Sequence, residues 1–210
     1  MKKSCAVCGE KASIWTRIRL KDGFLCNTCA KKCSEHLDNF HKFSADEIIK
    51  HLSYREENAS SDRLKNFSPT ISLGEYEILR IDEQSGCWLL KTEKRFNNES
   101  PDIFRLSQIT DVEFVRKKEC LNRFDEDTVS KRAAKKLKRR KNRCPIYGYW
   151  FYVVIKLNHP YFDRIDMRIN KYIISEKNQI DYIGALRNAQ NIVEDINRLV
   201  AKAKNHTDGN

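Results

Sequence analysis

The sequence predicts an α+β protein in which a small cysteine-rich unit and a helix precede a bent, mostly antiparallel sheet closed by a long C-terminal helix. Short alternating apolar runs recur between residues 76 and 169, and this period is typical of half-buried strands. An apolar stripe then continues at helical spacing through residues 181–204. With 210 residues, the chain is long enough for one medium domain and a small one.

The cysteine-rich unit contains two Cys-x-x-Cys pairs separated by 17 residues. No apolar export signal precedes them, so we expect the thiols to stay reduced and available to metal. This spacing is that of a four-thiolate zinc site. The segment is too short to form a stable apolar core unless a bound metal cross-links it. The sequence therefore predicts one structural Zn²⁺ per chain, with the ligands Cys5, Cys8, Cys26 and Cys29.

The residues around the pairs predict how each pair is held. Gly9 lets the backbone curl after the first pair. Residues 13–20 alternate like a strand, residues 21–23 form a turn, and residues 24–25 return as a second strand. Residues 30–37 look helical, which places the second pair at a helix N-terminus, where the dipole favours thiolates. The arrangement resembles a treble-clef or ribbon-type zinc finger.

Other uses of the cysteines carry less weight. A redox pair belongs in a βαβ setting and would not explain two pairs. Four cysteines already close a structural site, so we interpret Cys33 as a packed or free thiol, and His36 and His41 as ordinary residues. The isolated cysteines, Cys87, Cys120 and Cys144, are read as small buried hydrophobic residues.

A closed four-cysteine site leaves no position for a reacting water, so the metal is expected to fold the finger rather than to catalyse. His159, Asp163 and Asp166 are close in sequence, but nothing near them supplies a nucleophile, a phosphate loop or a paired acid and base. We interpret these three as turn residues. The sequence predicts no enzyme and no small-molecule substrate.

The domain organisation follows from capping and composition. Ser44 and Glu47 form a capping box that predicts a helix, and the polar stretch after it contains Ser-Pro and is interpreted as a linker. The predicted strands are residues 76–81, 87–92, 103–106, 112–115, 150–157 and 164–169. The predicted units are the finger at 1–43, the capping helix at 44–58, the linker at 59–73, the sheet domain at 74–204 with a basic insertion at 125–146, and a disordered tail at 205–210.

The basic insertion accounts for most of the formal net charge of +11, because residues 131–143 include nine positive and no acidic side chains. Three interpretations remain open: the insertion binds the phosphates of nucleic acid, it contacts an anionic membrane surface, or it is a solvent-exposed segment without a binding role. The run lacks aromatic residues that would stack on bases. Its candidate anion-binding residues are Lys131, Arg132, Lys135, Lys136, Lys138, Arg139, Arg140, Lys141 and Arg143.

The aromatic run at residues 147–152 is a second candidate stacking surface. Side chains alternate along a strand, so half of these rings are expected to face a core, and we interpret the run as core.

The order of the motifs resembles an uncharacterised bacterial family of zinc-finger proteins. The resemblance lies in Cys-x-x-Cys-Gly, in residues 20–32 with the second cysteine pair, and in residues 47–58. It continues through less specific motifs at Gly74-Glu75-Tyr76 and residues 158–162. The second half, above all residues 104–113, is similar to bacterial pleckstrin-homology-like domains. The resemblance implies the zinc ligands and a bent sheet closed by one helix, and it implies no catalytic residue.

The functional expectation is a non-catalytic, cytoplasmic, zinc-binding adaptor whose partner is a protein or a nucleic acid. One alternative is a nucleic-acid-binding regulator that uses residues 131–143, and a second is peripheral attachment to an anionic membrane. No apolar run is long enough to span a bilayer, so no transmembrane segment is expected.

Overall fold

A computed structural model describes residues 4–37, 39–60, 65–92, 102–120 and 147–207. The fold is mixed α and β, with antiparallel sheets and a C-terminal helix. Its strands are β1 (Ile18–Arg19), β2 (Phe24–Leu25), β3 (Ile71–Leu73), β4 (Ile78–Asp82), β5 (Cys87–Lys91), β6 (Phe104–Arg105), β7 (Ile109–Cys120), β8 (Tyr147–Leu157), β9 (Arg164–Arg168) and β10 (Ile174–Ser175). Its α-helices are α1 (Asn27–Lys32), α2 (Ala45–Ser60) and α3 (Gln179–Thr207).

The N-terminal unit is a short hairpin followed by α1. The strands β1 and β2 pair antiparallel around the predicted turn, but β1 is much shorter than the alternation suggested because residues 14–16 form a turn. The helix α1 begins at Asn27 rather than at residue 30, so the second cysteine pair lies in its first turn.

The predicted capping box starts α2. The Glu47 carboxylate accepts a hydrogen bond from the backbone N–H of Ser44 at 2.7 Å, and the Ser44 hydroxyl accepts one from the N–H of Glu47 at 3.2 Å. These two bonds satisfy backbone donors that a helix start would leave unpaired. The helix runs to Ser60 and lies close to the finger, since the Asp22 carboxylate at the hairpin turn accepts from the N–H of Ala45 at 2.9 Å.

The first sheet has the order β3-β4-β5-β6, all antiparallel. The predicted hairpin loop joins β4 to β5, and the Asp82 carboxylate accepts from the N–H groups of Gln84 and Ser85 at 3.0 and 3.2 Å. Strand β3 lies inside the stretch predicted to be a linker. The polar stretch before it concealed this strand in the sequence. It is an edge strand, and its Ile71 lies opposite Ile81 of β4.

The second sheet is built around β8, which pairs with β7 on one side and with β9 and β10 on the other. Both β7 and β8 are longer than predicted, with 12 and 11 residues. The second half of β7 is exposed and rich in charge, at Arg116, Lys117 and Lys118, so it lacks the alternation that marks a half-buried strand.

One hydrophobic core joins all these parts. The helix α3 buries the stripe of Ala189, Ile192 and Ile196 against the sheets, and it extends to Thr207, within the predicted tail. The same core continues into the finger through Leu20, Leu25 and other buried residues. The finger and the sheets therefore pack against each other and share one core.

Two further sequence-based predictions concern the bilayer and the insertion. No helix among the described residues is both long and apolar enough to cross a membrane. The basic residues 131–143 and Cys144 lie outside the described part of the chain, as do residues 61–64 of the predicted linker and 208–210 of the predicted tail.

Candidate metal centre

The four predicted ligands lie together. The Sγ atoms of Cys5, Cys8, Cys26 and Cys29 are all within 4.8 Å of one another, and those of Cys8 and Cys26 are 3.7 Å apart. Four sulfurs around one tetrahedral Zn²⁺, with Zn–S bonds of about 2.3 Å, would be about 3.8 Å apart. The donor set therefore fits a divalent metal ion with only a small contraction.

The first pair sits on a tight backbone loop. The N–H of Cys5 donates to the carbonyl of Glu10 at 2.7 Å, and the N–H of Gly9 donates to the carbonyl of Cys5 at 2.9 Å. Gly9 has a φ of +76°, a left-handed conformation that glycine adopts at little cost. The loop is fixed to the hairpin because the N–H of Ala6 donates to the carbonyl of Phe24 at 2.8 Å.

The second pair sits at the start of α1. Cys26 is the N-cap residue, and its Sγ accepts from the N–H of Cys29 at 3.4 Å. The N–H of Cys26 in turn donates to Sγ of Cys5 at 3.3 Å, which joins the two halves of the site. Backbone amides that point at sulfur stabilise thiolates, as does the positive end of a helix.

The protonation of the thiols indicates why a cation is needed. Burial alone would raise the pKa of Cys5, but backbone hydrogen bonds from Cys8, Cys26 and Val7 outweigh it and lower that pKa to about 6. The pKa of Cys29 is raised far above its usual value, first by burial and then by the neighbouring sulfurs. One thiolate therefore forms readily, while four need a positive ion among them.

Residues 3–51 match the family described as "Domain of unknown function (DUF4428)". This match covers the four cysteines, the hairpin, α1 and the first part of α2. No curated protein and no solved structure matches the chain. The family match therefore includes the cysteine-rich unit and does not extend to the sheets or α3.

The neighbouring candidate ligands lie elsewhere. Cys33 is fully buried, its Sγ donates to the carbonyl of Cys29 at 3.5 Å, and burial raises its pKa to about 11. This is a packed thiol, as predicted. His36 packs against the Phe104 and Phe162 rings, and His41 is exposed. Cys87 is buried, whereas Cys120 is only half-buried at the end of β7.

A buried polar network behind the finger escaped the sequence analysis. Asp102 accepts from the Ser34 hydroxyl at 2.5 Å and from Arg55 Nη1 at 3.0 Å. His51 is fully buried, and its Nε2 accepts from the N–H of Ser34 at 3.1 Å. These residues are far apart in sequence and share no motif. The one sequence signal for them is the spacing of His51 and Arg55, which lie four residues apart and therefore on the same face of α2.

Aromatic residues from the β8–β9 connection complete that network. His159 Nε2 lies 3.2 Å from the Tyr54 hydroxyl, and its Nδ1 accepts from the N–H of Tyr161 at 3.2 Å. His159 is therefore a half-buried structural residue, and Asp166 lies within β9 rather than in a turn. The network fixes α2 and the segment after α1 to both sheets.

The aromatic run at residues 147–152 divides between two faces, as alternation predicts. Phe151 is buried and packs against Tyr182 of α3, with ring centroids 5.3 Å apart. Trp150 and Tyr152 are half-buried on the opposite face, where the Lys117 ammonium lies 4.3 Å from the Tyr152 ring centroid. Only part of the run is core, and the rest carries basic neighbours.

Proposed function

We propose that this chain is a non-catalytic, cytoplasmic zinc-binding adaptor that recognises a protein or nucleic acid partner. The zinc would be bound by Cys5, Cys8, Cys26 and Cys29 as a closed structural site. The four-thiolate donor set is the observation that carries the proposal, since soft thiolates favour zinc and leave no coordination position for a substrate.

The continuity of the core supports an adaptor rather than two independent modules. Buried Leu20 and Leu25 of the finger belong to the same core as the sheets and α3. Metal binding would then hold one composite surface in a fixed shape. We assign the finger to the treble-clef or ribbon-type class and the sheets with α3 to a pleckstrin-homology-like fold, on the resemblance and the element order.

A pull-down from native extract with the full chain tests the adaptor role. The bait is compared with and without nuclease, and the matched control is Cys8→Ser with Cys26→Ser, which cannot close the site. We expect partners that depend on the intact metal site. Capture that is identical for both baits would contradict the proposal.

A nucleic-acid-binding regulator is the second candidate. The observation that favours it is the end of the β7–β8 hairpin, where Lys118 lies 3.7 Å from the Tyr147 ring centroid and Lys117 lies close to Tyr152. In the sequence, the cations of β7 and of residues 131–143 both lie between β6 and β8.

A salt titration of DNA and RNA binding tests this candidate. Changing Lys135, Lys136, Arg139 and Arg140 to Ala removes four cations, and we expect weaker binding with a shallower dependence on salt. Unchanged affinity and slope would exclude it. The further alternative, attachment of the basic segment to an anionic membrane, predicts that the same variant loses binding to anionic vesicles.

A further inference from the structure

We propose that the tip of the finger, Ile14 and Trp15, inserts into the surface of an anionic lipid bilayer. Trp15 is 93% exposed and Ile14 is 72% exposed, and the two are adjacent at the turn that precedes β1. Adjacent exposed apolar side chains form a patch, and apolar patches rimmed by polar residues are typical of protein-binding and membrane-binding surfaces. The inference adds a membrane contact that the adaptor role does not require.

The backbone of this tip is suited to a water-poor environment. The Ser13 carbonyl accepts from the N–H of Thr16 at 3.2 Å and from the N–H of Arg17 at 3.0 Å. The N–H of Trp15 donates to the Ser13 hydroxyl at 3.4 Å. Because unsatisfied amides make entry into lipid costly, a turn that pairs its own N–H groups can bring its side chains into the interface at low cost.

The charge around the tip selects the kind of bilayer. Lys11 and Arg19 are exposed on either side of the turn, and Arg17 lies half-buried over the Phe24 ring, 4.5 Å from its centroid. Glu10 is the acidic residue nearest in sequence. Basic side chains near a membrane surface are attracted to anionic headgroups and are screened by salt.

The pairing of an indole with an aliphatic side chain favours lipid over nucleic acid. Tryptophan prefers the interface between headgroups and acyl chains, and isoleucine gains from the acyl region beside it. Single-strand binding would use the Trp15 ring for stacking but would leave Ile14 without a role, and Arg17 already covers the aromatic ring of Phe24.

Another exposed apolar surface among the described residues differs from the tip in the charges around it. Ile180, which is 84% exposed, lines a groove of about 700 Å³ at the start of α3, and Tyr172, which is 74% exposed, follows the groove residue Lys171 in the sequence. The walls of the groove carry both Glu75 and Asp181 beside Lys171. A mixed-charge surface has no electrostatic preference for anionic lipid, so this site provides a matched control.

Cosedimentation of the full, zinc-loaded chain with vesicles tests the inference. One set contains phosphatidylcholine with phosphatidylserine and the other phosphatidylcholine alone. We expect binding to the anionic vesicles that weakens as salt rises. Trp15→Ala and Ile14→Ala should each weaken that binding by about tenfold, the effect of withdrawing one large apolar side chain from lipid. Tyr172→Ala and Ile180→Ala should leave it unchanged.

Tryptophan fluorescence separates insertion from simple charge attraction. Trp15 is one of three tryptophans, and Trp88 is fully buried. We expect a blue shift on addition of anionic vesicles, quenching by lipids brominated on their acyl chains, and loss of both signals in Trp15→Phe at equal amounts of bound protein. Vesicle binding without a Trp15 signal would overturn insertion and would leave the basic segment as the anchor.

Two other outcomes would show that the tip of the finger does not insert into lipid. Equal binding of the wild type and the Trp15→Ala and Ile14→Ala variants would refute the proposal. Trp15-dependent binding to single-stranded DNA in place of vesicles would assign the tip to nucleic acid and would likewise refute it. Because the pull-down depends on the metal site and not on lipid, failure of the membrane contact is distinguishable from failure of the adaptor role.

Discussion

Arg55 of α2 donates from Nη1 to both carboxylate oxygens of Asp102, at 3.0 and 3.1 Å, in a place where their side chains are only 7% and 3% exposed. The pair lies between the helix that follows the finger and the strand β6 of the first sheet. The Ser34 hydroxyl also donates to Asp102. The ion pair thus joins three segments that are distant in sequence.

Loss of one partner should destabilise the protein strongly. Arg55→Met leaves the Asp102 carboxylate buried without its counterion, and such a change typically costs about 3 to 5 kcal/mol. Urea unfolding measured by circular dichroism would provide the free energy. Arg198→Met is the matched control, because Arg198 pairs with Asp195 on an exposed surface of α3 and should cost under about 1 kcal/mol. Equal losses for the two variants would show that the buried pair contributes little.

The stability of the fold should fall in mild acid because of His51. Burial is the main cause that lowers the His51 pKa to about 4, from a usual value of 6.5; Arg55 and His159 lower it further, and Asp102 opposes them. As the pH falls from about 6.5 to 4, the unfolded chain binds the proton and the folded chain does not. The free energy of unfolding therefore falls over this range, by about 3 kcal/mol from this group.

The pH dependence can be assigned with two variants. His51→Gln removes the titrating group and keeps an acceptor for the N–H of Ser34, so its unfolding free energy should vary less between pH 4.5 and 7. His41→Gln changes an exposed histidine and should retain the wild-type slope. Zinc content is measured at each pH, because thiolate protonation also releases metal. A wild-type slope in His51→Gln would exclude the assignment.

The sequence predicted what depends on local spacing and missed what depends on distant contacts. The cysteine pairs, the capping box and the helical stripe of α3 are local patterns, and the structure confirms each of them. Strand β3 and the charged half of β7 were missed because one lies at an edge and the other faces water. Asp102 meets Ser34 across 68 positions of sequence, so no local pattern indicates their contact.

Two glycines with positive φ should respond differently to substitution. A Cβ on Gly74, where φ is +93°, would collide with the Met167 side chain and with the backbone carbonyl of Glu77. Gly86 has a φ of +64°, and nothing lies within 4 Å of its added Cβ. Gly86→Ala should cost about 1 kcal/mol for its left-handed backbone alone, and Gly74→Ala about 3 kcal/mol or more. Thermal unfolding of both variants would measure the difference, and equal costs would refute the proposed collision.

Removal of metal should unfold the finger first. Elemental analysis of the protein purified under reducing conditions should find about one zinc per chain, as one four-ligand site requires. Cys8→Ser removes an exposed ligand whose loss disturbs little packing, so a fall in zinc content would report coordination rather than a collapsed core.

The half-buried Cys120 supplies the control, since Cys120→Ser should keep all the zinc. A chelator should abolish the chemical-shift dispersion of residues 4–37 in the wild type, because the four thiols cannot all be charged at close range without a cation between them. Loss of the same signals in the sheets would be expected later, at higher chelator or denaturant, since the fully buried Trp88, Phe104 and Phe151 lie in strands that contain no metal ligand. Full zinc retention by Cys8→Ser would refute the ligand set and with it the closed site on which the adaptor role depends.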